Sequence, residues 1–159
     1  MNVLLSIKPK YVELIKLGSK RYEFRKKIFR ANSKCRIFMY STSPVKRIVG
    51  FFEPPVVHED APFRIWDKFG EHSGLTESEF FGYFKNSRQA FAIEIGRLIF
   101  FDAPLDPSHH FLAFRPPQSY RYLNPQEELW VGRDVAPLVP IFGKNGGALK
   151  GLTCGEVMG

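Results

Sequence analysis

The chain has 159 residues and a formal net charge of +7, with 44% hydrophobic and 25% charged residues, which suits one domain with its own core and excludes wholesale disorder. No apolar run approaches the roughly 18–20 residues of a membrane span, residues 1–8 do not read as a signal peptide, and the two cysteines, Cys35 and Cys154, lack the spacing of a zinc site or a disulfide scaffold. The charge is uneven: residues 1–50 hold 13 Lys and Arg against 2 acidic residues (+11), residues 51–100 hold 5 against 8 (−3), and residues 101–159 hold 5 against 6 (−1). A basic third of this kind points to a polyanion, nucleic acid above all. A cytoplasmic address is expected, with no membrane, metal or cofactor involved.

In chain order, residues 2–7 are short and apolar, as in a strand. Pro9 suits the first turn of a helix over 10–17, which Gly18 ends. Residues 20–25 alternate, with Tyr22 and Phe24 on one face and Arg21, Glu23 and Arg25 on the other. Strands follow at 35–40 and 46–53, divided by the turn Ser41-Thr42-Ser43-Pro44 and stopped by Pro54-Pro55. Residues 56–75 are mixed, with Trp66 in a short helix or loop. Thr76 and Glu79 have the spacing of a capping box at the head of a helix. Residues 89–101 read as one long strand, or two joined by a bulge at Gly96. A loop-rich stretch begins at 105, and residues 116–123 look like an ordered closing segment. Residues 124–159 are weakly patterned, the last fifteen or so reading as a mobile tail. Strands that come in runs, with few short helices, predict an α+β domain: a small mixed β-barrel with short helices at its openings.

The densest chemistry lies in Gly18-Ser19-Lys20-Arg21-Tyr22-Glu23-Phe24-Arg25. A lysine and an arginine held by a carboxylate suit anion recognition, the arginine bidentately and the lysine as a point charge. The pattern Gly18-x-Lys20-x-x-Glu23-x-Arg25 resembles the signature of the ASCH domain family of the PUA-like superfamily. The entry at Leu4 to Pro9, the strand pair from Tyr40 to Gly50, the strand Phe91 to Ile95, and Pro117-Gln118-Ser119-Tyr120 are similar to family segments as well. The resemblance covers residues 1–123 and leaves 124–159 as a C-terminal extension, partly ordered at most.

That resemblance implies a PUA-like fold and a cleft, lined by the signature, that binds RNA or a modified nucleoside. Lys20, Arg21 and Arg25, with Arg115, would meet phosphate or a base edge, and Glu23 would orient the cations. Tyr40, Trp66 and Tyr120 would stack on bases, and Ser41 would sit at the cleft. The family also contains ribonucleases, and a branch that hydrolyses the acetyl amide of N4-acetylcytidine with a Lys, a Thr and a Glu. On this chain those positions fall on Lys20, Glu23 and Glu71. The hydroxyl is replaced by a carboxylate, which is expected to hold Lys20 protonated rather than free it as a base. Nucleic-acid binding is therefore the expected function, with a nucleoside amidohydrolase or a ribonuclease as the alternative.

Overall fold

The computed structural model describes residues 1–30, 34–133 and 139–140. The architecture is α+β, with two sheets and four helices. The larger sheet has the order β8-β1-β3-β4-β7-β9, from β1 (Val3–Ile7), β3 (Ile37–Ser41), β4 (Arg47–Glu53), β7 (Arg97–Leu105), β8 (Tyr120–Tyr122) and β9 (Val139–Pro140). The smaller sheet is β2 (Tyr22–Arg25), β6 (Ala90–Glu94) and β5 (Val57–Asp60), with β6 in the middle. β1 and β3 run parallel, with Ser6 opposite Tyr40. This sets the C-terminal ends of both strands side by side.

Strand alternation deals the apolar side chains into three layers. Val3, Leu5, Ile7, Ile37, Met39 and Phe52 face the smaller sheet and α1 (Pro9–Lys16), meeting Ile93, Val12 and Ile15. Leu4, Phe38, Tyr40, Ile48 and Phe51 face the other way. They are covered by Phe111 and by Val131 of α4 (Pro125–Arg133). Phe24, Ala90 and Ala92, on the outer face of the smaller sheet, pack under α2 (Pro62–Phe69) and α3 (Glu77–Tyr83) through Ile65, Phe80 and Phe84. β2 is therefore buried on both faces. Tyr22 and Phe24 turn outward to the helices, while Glu23 and Arg25 turn toward the space between the sheets.

Several boundaries follow local chemistry. Gly18 takes φ +80°, which ends α1 at little cost. Thr76 and Glu79 form the expected capping box, the Glu79 N–H donating to the Thr76 hydroxyl and the Thr76 N–H to the Glu79 carboxylate. α4 opens on the reciprocal pair Asn124 and Glu127, a cap readable in Asn-Pro-Gln-Glu but overlooked for want of an apolar stripe.

Two expectations are corrected. Residues 89–101 are neither one strand nor a bulged pair, because β6 and β7 belong to different sheets and the chain changes sheet at Gly96. A Cβ at Gly96 would lie 2.5 Å from the Glu53 carbonyl oxygen, so the crossing needs a bare backbone. β5 hides within the mixed stretch because His58, Glu59 and Asp60 carry no apolar alternation, which an edge strand does not require. The expectation of a mobile tail falls on residues outside those described, apart from Val139–Pro140.

Gly50 marks the tightest contact between β4 and β7. A Cβ there would sit 2.1 Å from the Ile99 carbonyl oxygen and 2.9 Å from Phe100 Cα, both backbone atoms that no rotamer can clear. Gly50→Ala should destabilise the fold by about 3 kcal/mol, the upper range for forced overpacking. Urea unfolding measures it, and an unchanged midpoint would show that β7 does not lie against β4 in this register.

Candidate functional site: a buried ion chain and a groove at Tyr40

Lys20, Glu23 and Arg25 do come together, but inside the protein. The Lys20 ammonium donates to the Ser73 carbonyl at 2.7 Å and lies 3.3 Å from one Glu23 carboxylate oxygen. The other Glu23 oxygen accepts from Arg25 Nη2 at 2.7 Å. Arg25 Nη2 also donates to the Ser6 carbonyl at 2.8 Å, and Nη1 reaches the Ser119 hydroxyl at 3.3 Å. The three side chains are 1%, 9% and 9% exposed. The rings of Tyr11 and Phe24 flank the ammonium at 5.3 and 5.1 Å. Burial pushes the Lys20 ammonium below its ordinary value, and the Glu23 charge only partly restores it. This reverses the expectation that the carboxylate decides the balance: desolvation outweighs the ion pair.

Lys20 and Arg25 commit their hydrogen bonds to Ser73, Glu23, Ser6 and Ser119, so the role assigned to them as direct anion contacts does not fit their placement. Among the described residues no hydroxyl or imidazole bonds to Lys20. Glu71 lies exposed on a 3-10 turn, and the group that reaches Lys20 from that segment is the Ser73 carbonyl.

The other expected residues scatter. Trp66 packs 5.0 Å from Phe80 in the layer beneath α2 and α3, with its ring against Gly70, so it closes a core rather than awaiting a base. Tyr120 packs edge-on to Phe29 at 5.2 Å and its hydroxyl donates to the Ile28 carbonyl, which occupies both its face and its polar end. Arg21 and Arg115 are exposed, and Ser41 is buried on β3. Ten of the thirteen basic residues in the first fifty are exposed, Arg47 is half-buried, and the two fully buried ones are Lys20 and Arg25.

Tyr40, 3% exposed, lies at the base of a groove of about 390 Å³ between the β3–β4 turn and residues 106–116. Its walls include Thr42, Ser43, Lys46 and Arg47 on one side and Asp106, Ser108, Phe114 and Pro116 on the other. The Tyr40 ring packs 5.3 Å from Phe114, and among the described residues its hydroxyl has no hydrogen-bond partner. Burial pushes the phenol above its usual value. Asp106 adds to the rise and Arg47 opposes it, so Tyr40 is a proton donor at neutral pH. Asp106 organises the far wall. It accepts from the Ser108 hydroxyl at 2.6 Å and the Ser108 N–H at 3.0 Å, and pairs with Arg47 at 3.1 Å. Those bonds from Ser108, with the nearby Arg47, hold its carboxyl below the usual range.

Lys46 has φ +53°, is exposed, and among the described residues its ammonium bonds to nothing. The groove thus offers a hydroxyl donor, one uncommitted cation, one held cation and an apolar wall. Sequence reasoning reached Tyr40 and missed Lys46, Arg47, Asp106, Ser108 and Phe114. The adjacent Lys-Arg after a proline turn was a signal. Its complement at 106–114 lies sixty residues away and reaches the groove only through the pairing of β4 with β7.

A mixed sheet with one parallel pair, a second small sheet and short covering helices make up the α+β domain. The chain resembles the ASCH domain proteins in sequence and in fold. It is 28% identical over 132 residues to the "ASCH domain-containing ribonuclease" of Zymomonas mobilis, a match covering 79% of this chain and 86% of the relative. The crystal structure of ASCH from Zymomonas mobilis superposes with a TM-score of 0.76 at 24% identity, covering 87% of this chain and 96% of that one. A serine-to-alanine variant of the same protein gives 0.75 at 25%, covering 83% and 94%. Large ribosomal subunit protein uL22 of Ureaplasma parvum is 25% identical over 122 residues, which is 77% of this chain and 39% of that protein. No protein-family model matches the chain.

Proposed function

We propose that the protein acts on RNA, binding a single strand in the groove at Tyr40 and cleaving its phosphodiester bond there. The observation that carries this reading is a groove lined by both Tyr40 and Lys46, whose hydroxyl and ammonium have no partner among the described residues, beside the aromatic wall of Phe114. A relative named a ribonuclease, aligned over most of both chains, supports it.

The chemistry suits RNA because the substrate carries its own nucleophile. The 2′-oxygen attacks phosphorus, its proton passing to water, and the bond to the 5′-oxygen breaks as Tyr40 gives that oxygen a proton. Lys46 balances the negative charge on the non-bridging oxygens. The products are a 2′,3′-cyclic phosphate and a 5′-hydroxyl, and solvent reprotonates Tyr40. Phe114 and Pro116 give a base an apolar surface to lie on.

The test is incubation of the full chain with matched labelled RNA, DNA and 2′-O-methyl RNA strands. RNA should be cut, and the other two bound but left whole, because they lack a free 2′-hydroxyl. Binding should weaken steeply with salt. Cleavage of DNA at the same rate would overturn the internal-nucleophile mechanism. Retention of RNA without cleavage would leave a binding module, the reading that sequence alone favours. Amide hydrolysis at Lys20, the other alternative, has no hydroxyl or imidazole at hand to assist it.

A further inference from the structure

The signature motif carries four charged residues in eight, yet the groove does not use it. We propose that the Lys20–Glu23–Arg25 ion chain is a positioning latch that sets one wall of the Tyr40 groove from behind, so that the motif governs RNA binding without touching RNA. This rests on the groove being the RNA site.

The connections can be followed atom by atom. Lys20, bonded to the Ser73 carbonyl, ties the loop before α3 to Glu23 on β2. Glu23 orients the Arg25 guanidinium. That guanidinium spans two further elements, the Ser6 carbonyl on β1 and the Ser119 hydroxyl just before β8. Ser6 in turn donates its hydroxyl to the Pro117 carbonyl at 2.6 Å. Residues 117 and 119 are thus fixed from one side by the Ser6 hydroxyl on the Pro117 carbonyl, by Arg25 Nη1 on the Ser119 hydroxyl and by the Ser6 N–H on the Ser119 carbonyl at 3.0 Å.

Pro116, next along, lines the groove, and so does Phe114. Two consecutive prolines restrict the backbone between the fixed point and the wall, so a displacement at 117–119 is passed on rather than absorbed. Ser6 is also the register partner of Tyr40 across the β1–β3 pair, so the latch ends against the backbone that carries Tyr40. The burial of all three charges agrees with this role, since a rigid, water-excluded chain of charged hydrogen bonds fixes geometry better than a solvated one.

Arg25→Lys keeps a cation beside Glu23 but loses the fork that spans Ser6 and Ser119. Ser119→Ala removes the hydroxyl that Arg25 Nη1 holds, leaving its longer contact to the Ser119 carbonyl and every buried charge in place, and Ser119→Thr restores the hydroxyl. In the full chain, amide hydrogen exchange over residues 114–119 should quicken in Arg25→Lys and Ser119→Ala. KM for an RNA strand should rise about tenfold while kcat stays within about twofold, and Ser119→Thr should return both measures toward wild type. Unchanged KM in both impaired variants, or a fall in kcat alone, would overturn the latch. A wild-type protein that neither binds nor cuts RNA overturns the groove reading instead, and the exchange measurement separates the two failures. If Arg25→Lys does not fold, Ser119→Ala carries the test.

Discussion

Glu23→Gln should cost about 3–5 kcal/mol of stability, the range for removing one member of a buried ion pair, and lower the melting temperature by about 10 °C for a chain of this size. Glutamine keeps an acceptor for Arg25, so the loss reports on charge. Lys20 and Arg25 would remain buried, 1% and 9% exposed, with no anion between them. Lys20→Met in the Glu23→Gln background removes one stranded cation and should recover part of the loss.

The pH dependence has a definite sign. Burial lowers the folded-state pKa of Lys20 beneath the ordinary 10.5, so between those values the unfolded chain binds more protons and stability rises with pH. Without Glu23 the folded value falls further and the window widens downward. The variant should therefore recover more stability than wild type as the pH rises toward 10.5. Thermal melts across that range measure both effects. A loss below about 1 kcal/mol, the scale of an exposed pair, would mean that water reaches the ion chain.

Tyr40→Phe and Lys46→Ala should separate two roles in the groove. Phenylalanine keeps the packing on Phe114 and deletes only the hydroxyl, so cleavage should fall by about 10²–10⁴, the usual contribution of a positioned acid, while RNA binding holds. Lys46 is exposed and bonds to nothing among the described residues, so Lys46→Ala should leave the fold intact. It should weaken binding and reduce the slope of log affinity against log salt by about one phosphate contact.

The rate should also show an alkaline limb above the ordinary tyrosine value of 10.0, because burial and Asp106 hold Tyr40 protonated. Asp106→Asn keeps an acceptor for the Ser108 cap but removes the charge, so the limb should move to lower pH. Arg47, the neighbouring cation, then acts on the phenol without that counterweight. A Tyr40→Phe protein that cuts RNA as fast as wild type would remove Tyr40 from the reaction.

The sequence by itself determined the local events. Pro9 and Gly18 bound α1, Thr76 with Glu79 starts α3, and the alternation of residues 20–25 places Tyr22 and Phe24 opposite Glu23 and Arg25, all as the chain shows. These follow from backbone sterics and side-chain periodicity within a few residues, which neighbours in sequence suffice to decide. The signature at 18–25 and its flanking segments likewise carried the resemblance to the ASCH domain family.

Only the tertiary structure decided which face of β2 meets what. Alternation puts three charges on one side, but whether that side meets solvent or Ser6 and Ser119 depends on a sheet assembled from residues a hundred positions apart. The same holds for Gly96, where one apolar run serves two sheets, and for Trp66, whose partner Phe80 arrives on another helix. Tyr40 was visible as an aromatic near a turn. It becomes a candidate acid because the pairing of β4 with β7 delivers Asp106 and Phe114 beside it. Burial and the charges that face a group set its chemistry, and both are properties of packing that no local window of the sequence contains.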